Sequence, residues 1–479
     1  MNRNILLVEP AFKAKKHFPP LGLMKISTYH KLLGDNVEFV QGWNKNIPYK
    51  NYWDRIYIST LFTYNWKSTI ETIKYYKWLV RDDISRIVVG GVLASLMPED
   101  VWNETGILPV VGLLNKPGIL DSGNDILIDD LIPDYSLLSE YGTQYPLLSN
   151  SYIGYATRGC KRKCEFCGVR VIEPEYSDYR DIKPYVQQIA NLYGPKRHLV
   201  LLDNNILYSR KLGRIIADIL ELGFINKNIR THTVDFNQGI DARLLSDKVL
   251  RLLKDVPIKP LRIAFDNVRL KKTYTEAILR ASNYGIRDLS NYILYNYEDS
   301  PSDLWERLYL NIQLNERHNL NIYSFPMKYI PLNAKDRSFI STEYGWNWYF
   351  LRNVFRTIHV MKGPVMPGSE YFHRAFGDTS DKFIEILHMP EKILMHRGRT
   401  PGQLEKDWEL KFQKLNKSDR SLLIEILCGH RTKRDLMHAI LKVKNSKVSE
   451  ILEYYMPETQ EVNESNTELL FNGLELEED

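Results

Sequence analysis

The chain runs to 479 residues, more than one domain of ordinary size holds, so two or three domains are expected. With 44% hydrophobic and 26% charged residues it has a globular composition, and no apolar run approaches the ~20 residues of a bilayer-spanning helix. Four cysteines exclude a disulfide framework, and a net charge of +5 does not by itself announce nucleic acid.

The opening "MNRNILLVEP", with Lys13, Lys15 and Lys16 soon after, lacks the apolar core and cleavage site of a signal peptide; a cytoplasmic location is expected. Its first run, "NILLVEP", reads as a buried strand, and "LGLMKISTYHKLLG" as a helix closed by Gly34. "NVEFVQG" and "RIYIST" are strands, "NWKSTIETIKYYKWLVRD" a helix, and "RIVVGG" a strand ending in two glycines. Strands alternating with helices predict a parallel, doubly wound sheet over residues 1–135. Ligands of such sheets lie at the carboxyl ends of the strands, here Glu9-Pro10, Ser59-Thr60 and Gly90-Gly91.

A looser segment, "GILDSGNDILIDDLIPDYSLLSEYG", leads to a second alternating region, 148–335. Its strands are "SYIGYAT", "HLVLLDNN", "THTVDFNQG", "LRIAFDN", "SNYILYNYED" and "NIYSFPMKYIPL". Its helices are "SRKLGRIIADILELG", "LSDKVLRLLKD", "TYTEAILRASNYG" and "SPSDLWERLYLNIQLNER". From 340 to 455 the pattern turns helical, and residues 457–479 are acidic and poor in apolar side chains, which predicts a disordered tail. Basic runs at Lys161–Lys163, Arg269–Lys272 and Arg431–Arg434 read as solvated faces or as a polyanion-binding surface.

Three of the four cysteines fall within "ATRGCKRKCEFCG", spaced C-x3-C-x2-C as Cys160, Cys164 and Cys167, directly after the first strand of the second region. Three thiolates on one short loop can anchor three irons of a cubane and leave the fourth open, whereas four would close it. Lys161, Arg162 and Lys163 would offset thiolate charge. The alternative is zinc held with a histidine such as His232, although no second C-x2-C and no H-x3-5-H pattern is present.

The C-x3-C-x2-C loop, with the aromatic Phe166 before its last cysteine and strand–helix units after it, resembles the signature of the radical S-adenosylmethionine (SAM) superfamily. That resemblance implies an α/β fold with a partial (β/α)6 TIM barrel, a [4Fe–4S] cluster on the three cysteines, SAM on the open iron and an external one-electron reductant. It implies SAM contacts at the strand ends. The usual Gly-Gly-Glu run is replaced by "LLDNN", making Asp203, Asn204 and Asn205 candidates, followed by Gln238, Asp241 and Arg243 in "DFNQGIDAR" and by Asp266. Asn296 and Glu298, and Lys328 and Tyr329 at the last strand, are weaker candidates. No catalytic acid, base or nucleophile is singled out.

The first region, a Rossmann-like fold with "PPLGLMKI" after its first strand and "VVGG" later, resembles the cobalamin-binding class of that superfamily. The class's D-x-H-x-x-G motif is not met at His17, and "PVVGLLNKPG" departs from its glycine–glutamate run, so the domain is read either as an altered corrin pocket or as a retained scaffold or substrate platform. "YGWNWYFLRNVFR" with Arg352 and Arg356 reads as helical core or as a base-stacking surface. Cys428 reads as a buried structural thiol. The expected function is hydrogen abstraction from an unknown substrate, with cobalamin-dependent radical methylation as one outcome. Two alternatives stand beside it: a nucleic-acid-associated base-modifying factor, and a silent iron–sulfur or zinc scaffold.

Overall fold

The computed structural model describes residues 2–11, 18–43, 52–81, 83–228, 232–430 and 433–456. His17, the start of the basic run at Arg431 and the tail 457–479 lie outside the described residues. The chain is a mixed α/β protein with parallel sheets and many helices, and it divides into two compact units. The first comprises Met1–Ile263, Asn283–Ile286 and Ile330–Phe339; the second comprises Ala264–Ser282, Arg287–Tyr329 and Ile340–Asp479.

The first unit opens with strands β1 (Asn4–Glu9), β2 (Asn36–Gln41), β3 (Arg55–Thr60) and β4 (Ile87–Gly91). They form one parallel sheet in the order β2-β1-β3-β4, crossed by helices Leu21–Leu32 and Trp66–Leu79. The order reverses at β1, the switch point at which doubly wound sheets open a crevice. β1 is covered on both faces, and Ile5, Leu6, Leu7 and Val8 are fully buried, each such side chain contributing ~1.5–3 kcal/mol. The double glycine ending β4 has a steric cause. Gly91 has φ +101°, and a Cβ there would stand 2.2 Å from the Thr60 carbonyl oxygen of the neighbouring strand.

After short helical turns come β5 (Ser151–Gly154), β6 (Thr157–Arg158), β7 (Ser177–Asp178), β8 (His198–Leu201), β9 (Thr233–Phe236) and β10 (Leu261–Arg262). β5, β8 and β9 form a parallel sheet, which the Ile240–Ile263 bridge extends toward β10. The helix Ile182–Tyr193, absent from the sequence reading, carries the chain from the cysteine loop to β8 and buries Ile182, Tyr185, Val186 and Ile189 along one face. The remaining expected strands, β11 (Asp288–Tyr295) and β12 (Asn321–Lys328), pair in parallel within the second unit.

The second unit is otherwise helical. Its helix Pro301–His318 starts from a Ser300–Asp303 capping box, in which each side chain accepts from the other residue's backbone amide. Its aromatic run corrects the base-stacking reading. Trp346, Trp348, Tyr349 and Phe350 are buried in the cores of this unit, while Arg352 and Arg356 both pair with Glu391. Cys428 is half-buried, its thiol donating to Asn347 Oδ1 at 3.4 Å and packed against one of these cores.

Candidate functional site

The three clustered cysteines lie on the loop between β6 and β7, whose antiparallel pairs Thr157↔Asp178 and Arg158↔Ser177 close its base. Gly159 turns the chain into the loop at φ +71°, and a Cβ there would stand 2.2 Å from the Glu175 carbonyl oxygen, so only glycine fits. Cys160, Cys164 and Cys167 are half-buried thiols outside any disulfide. The Arg162 amide donates to Cys160 Sγ at 3.4 Å, and the Cys167 amide to the Cys164 carbonyl at 3.1 Å. Phe166 is half-buried beside them.

The basic run on this loop is engaged with its surroundings. Lys161 Nζ lies 5.3 and 5.4 Å from the ring centres of Tyr176 and Tyr208, Lys163 donates to the Pro174 carbonyl, and Arg162 Nε reaches Asp241 Oδ2 at 3.0 Å. Asp241, just beyond β9, also accepts from the Arg243 backbone amide at 3.0 Å and from Arg243 Nε at 2.6 Å. Burial works to raise the Asp241 carboxyl, but these guanidinium contacts outweigh it and hold the group below its ordinary value. Arg243 is raised, first by its hydrogen bond to Asp241 and also by the charge of Cys164. Asp241 therefore joins the cysteine loop to the end of β9.

The remaining predicted contacts divide. Asn204 is half-buried and donates from Nδ2 to Glu173 Oε2 at 3.0 Å; Gln238 is exposed and donates to Asn237 Oδ1 at 3.1 Å. Asn205 is buried, and its Oδ1 has no hydrogen-bond partner among the described residues. Asp203 is engaged by the protein itself. Its Oδ1 accepts from the Thr157 amide at 2.5 Å and the Thr157 hydroxyl at 2.6 Å, and both oxygens lie 3.1 Å from the Ala156 amide. Burial pushes its carboxyl up to about 6 against those hydrogen bonds. Its oxygens are committed to fixing the strand that enters the loop.

Asp266 belongs to the second unit, where its carbonyl accepts from Arg307 at 2.9 Å. Asn296 is corrected to a structural role in that unit: fully buried at φ +65°, it accepts from the Ser341 amide at 2.9 Å. Glu298 is exposed, and Tyr329 packs 4.6 Å from Tyr297.

Among the described residues no three His, Cys, Asp or Glu side chains converge where one metal ion could be held. His232, the residue suggested for zinc, packs its ring edgewise against Phe224. Ligation of a cubane differs from that of a single ion: the ligated irons occupy separate corners, so the thiolates stand around the cluster rather than meeting at a point. Three thiols on one loop suit the cluster.

A cavity of about 230 Å³ opens at the carboxyl edge of the first sheet. Its lining includes Gly22 at the start of the first helix, Ser59 in β3, Gly90 in β4 and Gly112, together with Asp129, Tyr155, Arg158 and Glu173. Lys25, on the first helix and 4% exposed, donates to Asp129 Oδ1 at 2.7 Å and to its carbonyl at 2.5 Å. Arg158 donates to Asp129 Oδ1 at 2.8 Å and to Glu173 Oε1 at 3.0 Å, with its guanidinium 3.7 Å from the Tyr155 ring centre. Burial lowers the Lys25 ammonium to about 8 despite Asp129. Burial also favours a neutral Asp129, but Lys25 and Arg158 overcome it and hold that carboxyl below its ordinary value. Sequence reading missed Lys25, Asp129 and Glu173.

No helix among the described residues is long and apolar enough to cross a membrane. No protein-family model and no curated protein matches the chain. Solved structures with a likeness include the radical SAM methyltransferase TsrM from Kitasatospora setae with cobalamin and [4Fe–4S] cluster bound, at 12% identity and TM-score 0.49 over 70% of this chain and 74% of that one. The cobalamin-dependent SAM radical enzyme OxsB, in its apo form, aligns at 14% identity and TM-score 0.44 over 94% of this chain and 74% of its own. SuiB from Streptococcus suis, bound to SAM, aligns at 13% identity and TM-score 0.31 over 48% of this chain and 53% of its own.

Proposed function

We propose that this chain is a radical SAM enzyme whose Cys160, Cys164 and Cys167 hold a [4Fe–4S] cluster with one iron left open to SAM. The observation that carries the reading is a single glycine-opened loop bearing three half-buried thiols, tied through Arg162 and Asp241 to the polar end of a parallel strand. With an electron from an external reductant, a site-differentiated cluster supplies reductive cleavage of SAM to methionine and a 5′-deoxyadenosyl radical. The chain's own part is placement. Arg243, held by Asp241, offers a guanidinium to the SAM carboxylate, and Asn204 and Gln238 offer amides to its polar groups. Phe166 lends an apolar face beside Cys167, and the orphaned Asn205 oxygen offers a buried acceptor. Such a site works by holding the target C–H bond within reach of the radical and excluding water.

The cavity at the edge of the first sheet supports a second cofactor of the corrin type, which would supply a methyl group for transfer. Gly22 and Gly90 place no side chains there, and apart from its chain neighbours and its own helix backbone nothing lies within 4 Å of where a Gly22 Cβ would stand. A cytoplasmic setting, where thiols stay reduced, fits the cluster.

The test is anaerobic reconstitution with iron and sulfide, reduction, and incubation with SAM. Stoichiometric cluster and 5′-deoxyadenosine are expected, and both vanish in the triple Cys→Ala variant; SAM left intact by the loaded, reduced protein overturns the reading. Retention of a corrin absorption band after desalting from hydroxocobalamin, and S-adenosylhomocysteine formed alongside 5′-deoxyadenosine, identify the methylating form.

A further inference from the structure

Glu173 lies in "VIEPEYSDYR", an acidic, proline-containing stretch that reads as a solvated turn, yet its carboxylate is used on both oxygens. Oε2 accepts from the Gly159 amide at 2.7 Å and from Asn204 Nδ2 at 3.0 Å, while Oε1 accepts from Arg158 Nη1 at 3.0 Å. One side chain thus grips the residue before Cys160, the residue after Asp203 and the arginine at the loop's base. From Arg158 the chain of contacts continues to Asp129 and on to Lys25 of the first helix. Lys25, Asp129, Arg158 and Glu173 all line the cavity at the edge of the first sheet. Two of the side chains on its wall, Glu173 and Arg158, are thus also those that hold the Gly159 turn into the cysteine loop.

We propose that Glu173 is a positioning residue which, through Arg158, couples occupancy of this cavity to the geometry of the Cys160 loop. This rests on the functional reading above. Two features make the linkage stiff. The Arg158 guanidinium is planar and uses separate nitrogens for Asp129 and Glu173, and its face is covered by Tyr155, so it cannot turn toward one partner without leaving the other. Gly159 is held by the Glu173 carboxylate in the left-handed conformation, with no room for a side chain. A shift of Glu173 by a few tenths of an ångström is therefore passed to Cys160 rather than absorbed.

The experiment uses the full chain with its cluster reconstituted, wild type against Glu173→Gln, Arg158→Lys and the double variant. Glu173→Gln preserves size while removing the charge; Arg158→Lys preserves charge while removing the fork. For each, iron content, the electron paramagnetic resonance spectrum of the reduced cluster with and without hydroxocobalamin, and the rate of 5′-deoxyadenosine formation are measured. In wild type, with reductant in excess so that the corrin is held as cob(II)alamin and the cluster stays reduced, bound corrin should shift the cluster's own g values. In both single variants iron content should hold, the spectral response should disappear and the rate should fall about tenfold, with the double variant no worse than either single because one link is cut twice. A Glu173→Gln enzyme that keeps the wild-type rate and spectral response overturns the inference. So does a loss of iron in proportion to activity, since Glu173 would then only fold the loop, or a wild type whose spectrum ignores retained corrin. A wild type that binds no cluster or leaves SAM intact overturns the reading beneath it and this inference with it; one that cleaves SAM but keeps no corrin overturns this inference alone.

Discussion

Both units bury charge, and they do so to different ends. In the second unit Arg307 is fully enclosed: Nη2 meets Asp299 at 2.5 Å, and Nη1 serves the carbonyls of Asp266 and Leu294 at 2.9 and 2.7 Å. Beside it, Tyr274, Asn291, Asn311 and Ser324 bond one another in a buried chain. These groups line no described cavity, and their work is to fix strand ends against a helix. In the first unit Lys25, Asp129 and Arg158 are buried and Glu173 half-buried, yet they face a cavity and end on the cysteine loop. Enclosed charge specifies a packing arrangement; charge on a cavity wall keeps polar groups where a ligand can use them.

Removing Arg307 should test that contrast most severely. Arg307→Met leaves Asp299 buried without its cation, and unfolding of this unit in urea should show a loss of about 3–5 kcal/mol. Acid should come next. His388 packs between Phe350 and Phe412, and burial lowers its ring to about 4. The unfolded chain takes up a proton below about 6.5 while the folded one resists until about 4, so stability is lost as the pH falls through that window. Each pKa unit carries ~1.4 kcal/mol, so the total loss is about 3 kcal/mol, and a His388→Leu variant should lack that part of the pH slope. A smaller effect, on binding, is expected in the first unit. Asp241→Asn should weaken SAM affinity about 10- to 100-fold, with iron content unchanged, because Arg243 loses its orienting partner. The smallest change should come from Lys25→Met. Asp129 keeps Arg158, no charge is orphaned, and thermal unfolding at neutral pH should move by less than about 1 kcal/mol. A loss as large as that for Arg307→Met would erase the distinction between the units.

Much of this was legible in the residues. The parallel sheet β2-β1-β3-β4 and the strands after it follow from short β-branched runs bounded by glycines, and the spacing of Cys160, Cys164 and Cys167 marks the loop on which the proposed site rests. The helix Ile182–Tyr193 was missed although its apolar residues recur at helical spacing, because Pro184, tolerated in a first turn, reads as a breaker. Strand-end carboxylates carry protein contacts that their composition does not reveal. Asp203 and Asp241 have the composition of ligand contacts, but the first is spent on backbone amides and the second on two arginines. Glu173 and Lys25 were invisible for the opposite reason. Each looks solvated in its local stretch, and its partners lie as far as 31 and 104 residues away.

Gly159 separates two questions that usually travel together. Replacing it by alanine keeps every sulfur atom on the chain and adds one methyl where the carbonyl of Glu175 already stands. An enzyme silenced by that change would owe its failure to the path of the polypeptide rather than to its donor atoms, so a single hydrogen-to-methyl exchange isolates shape from composition at the heart of this molecule.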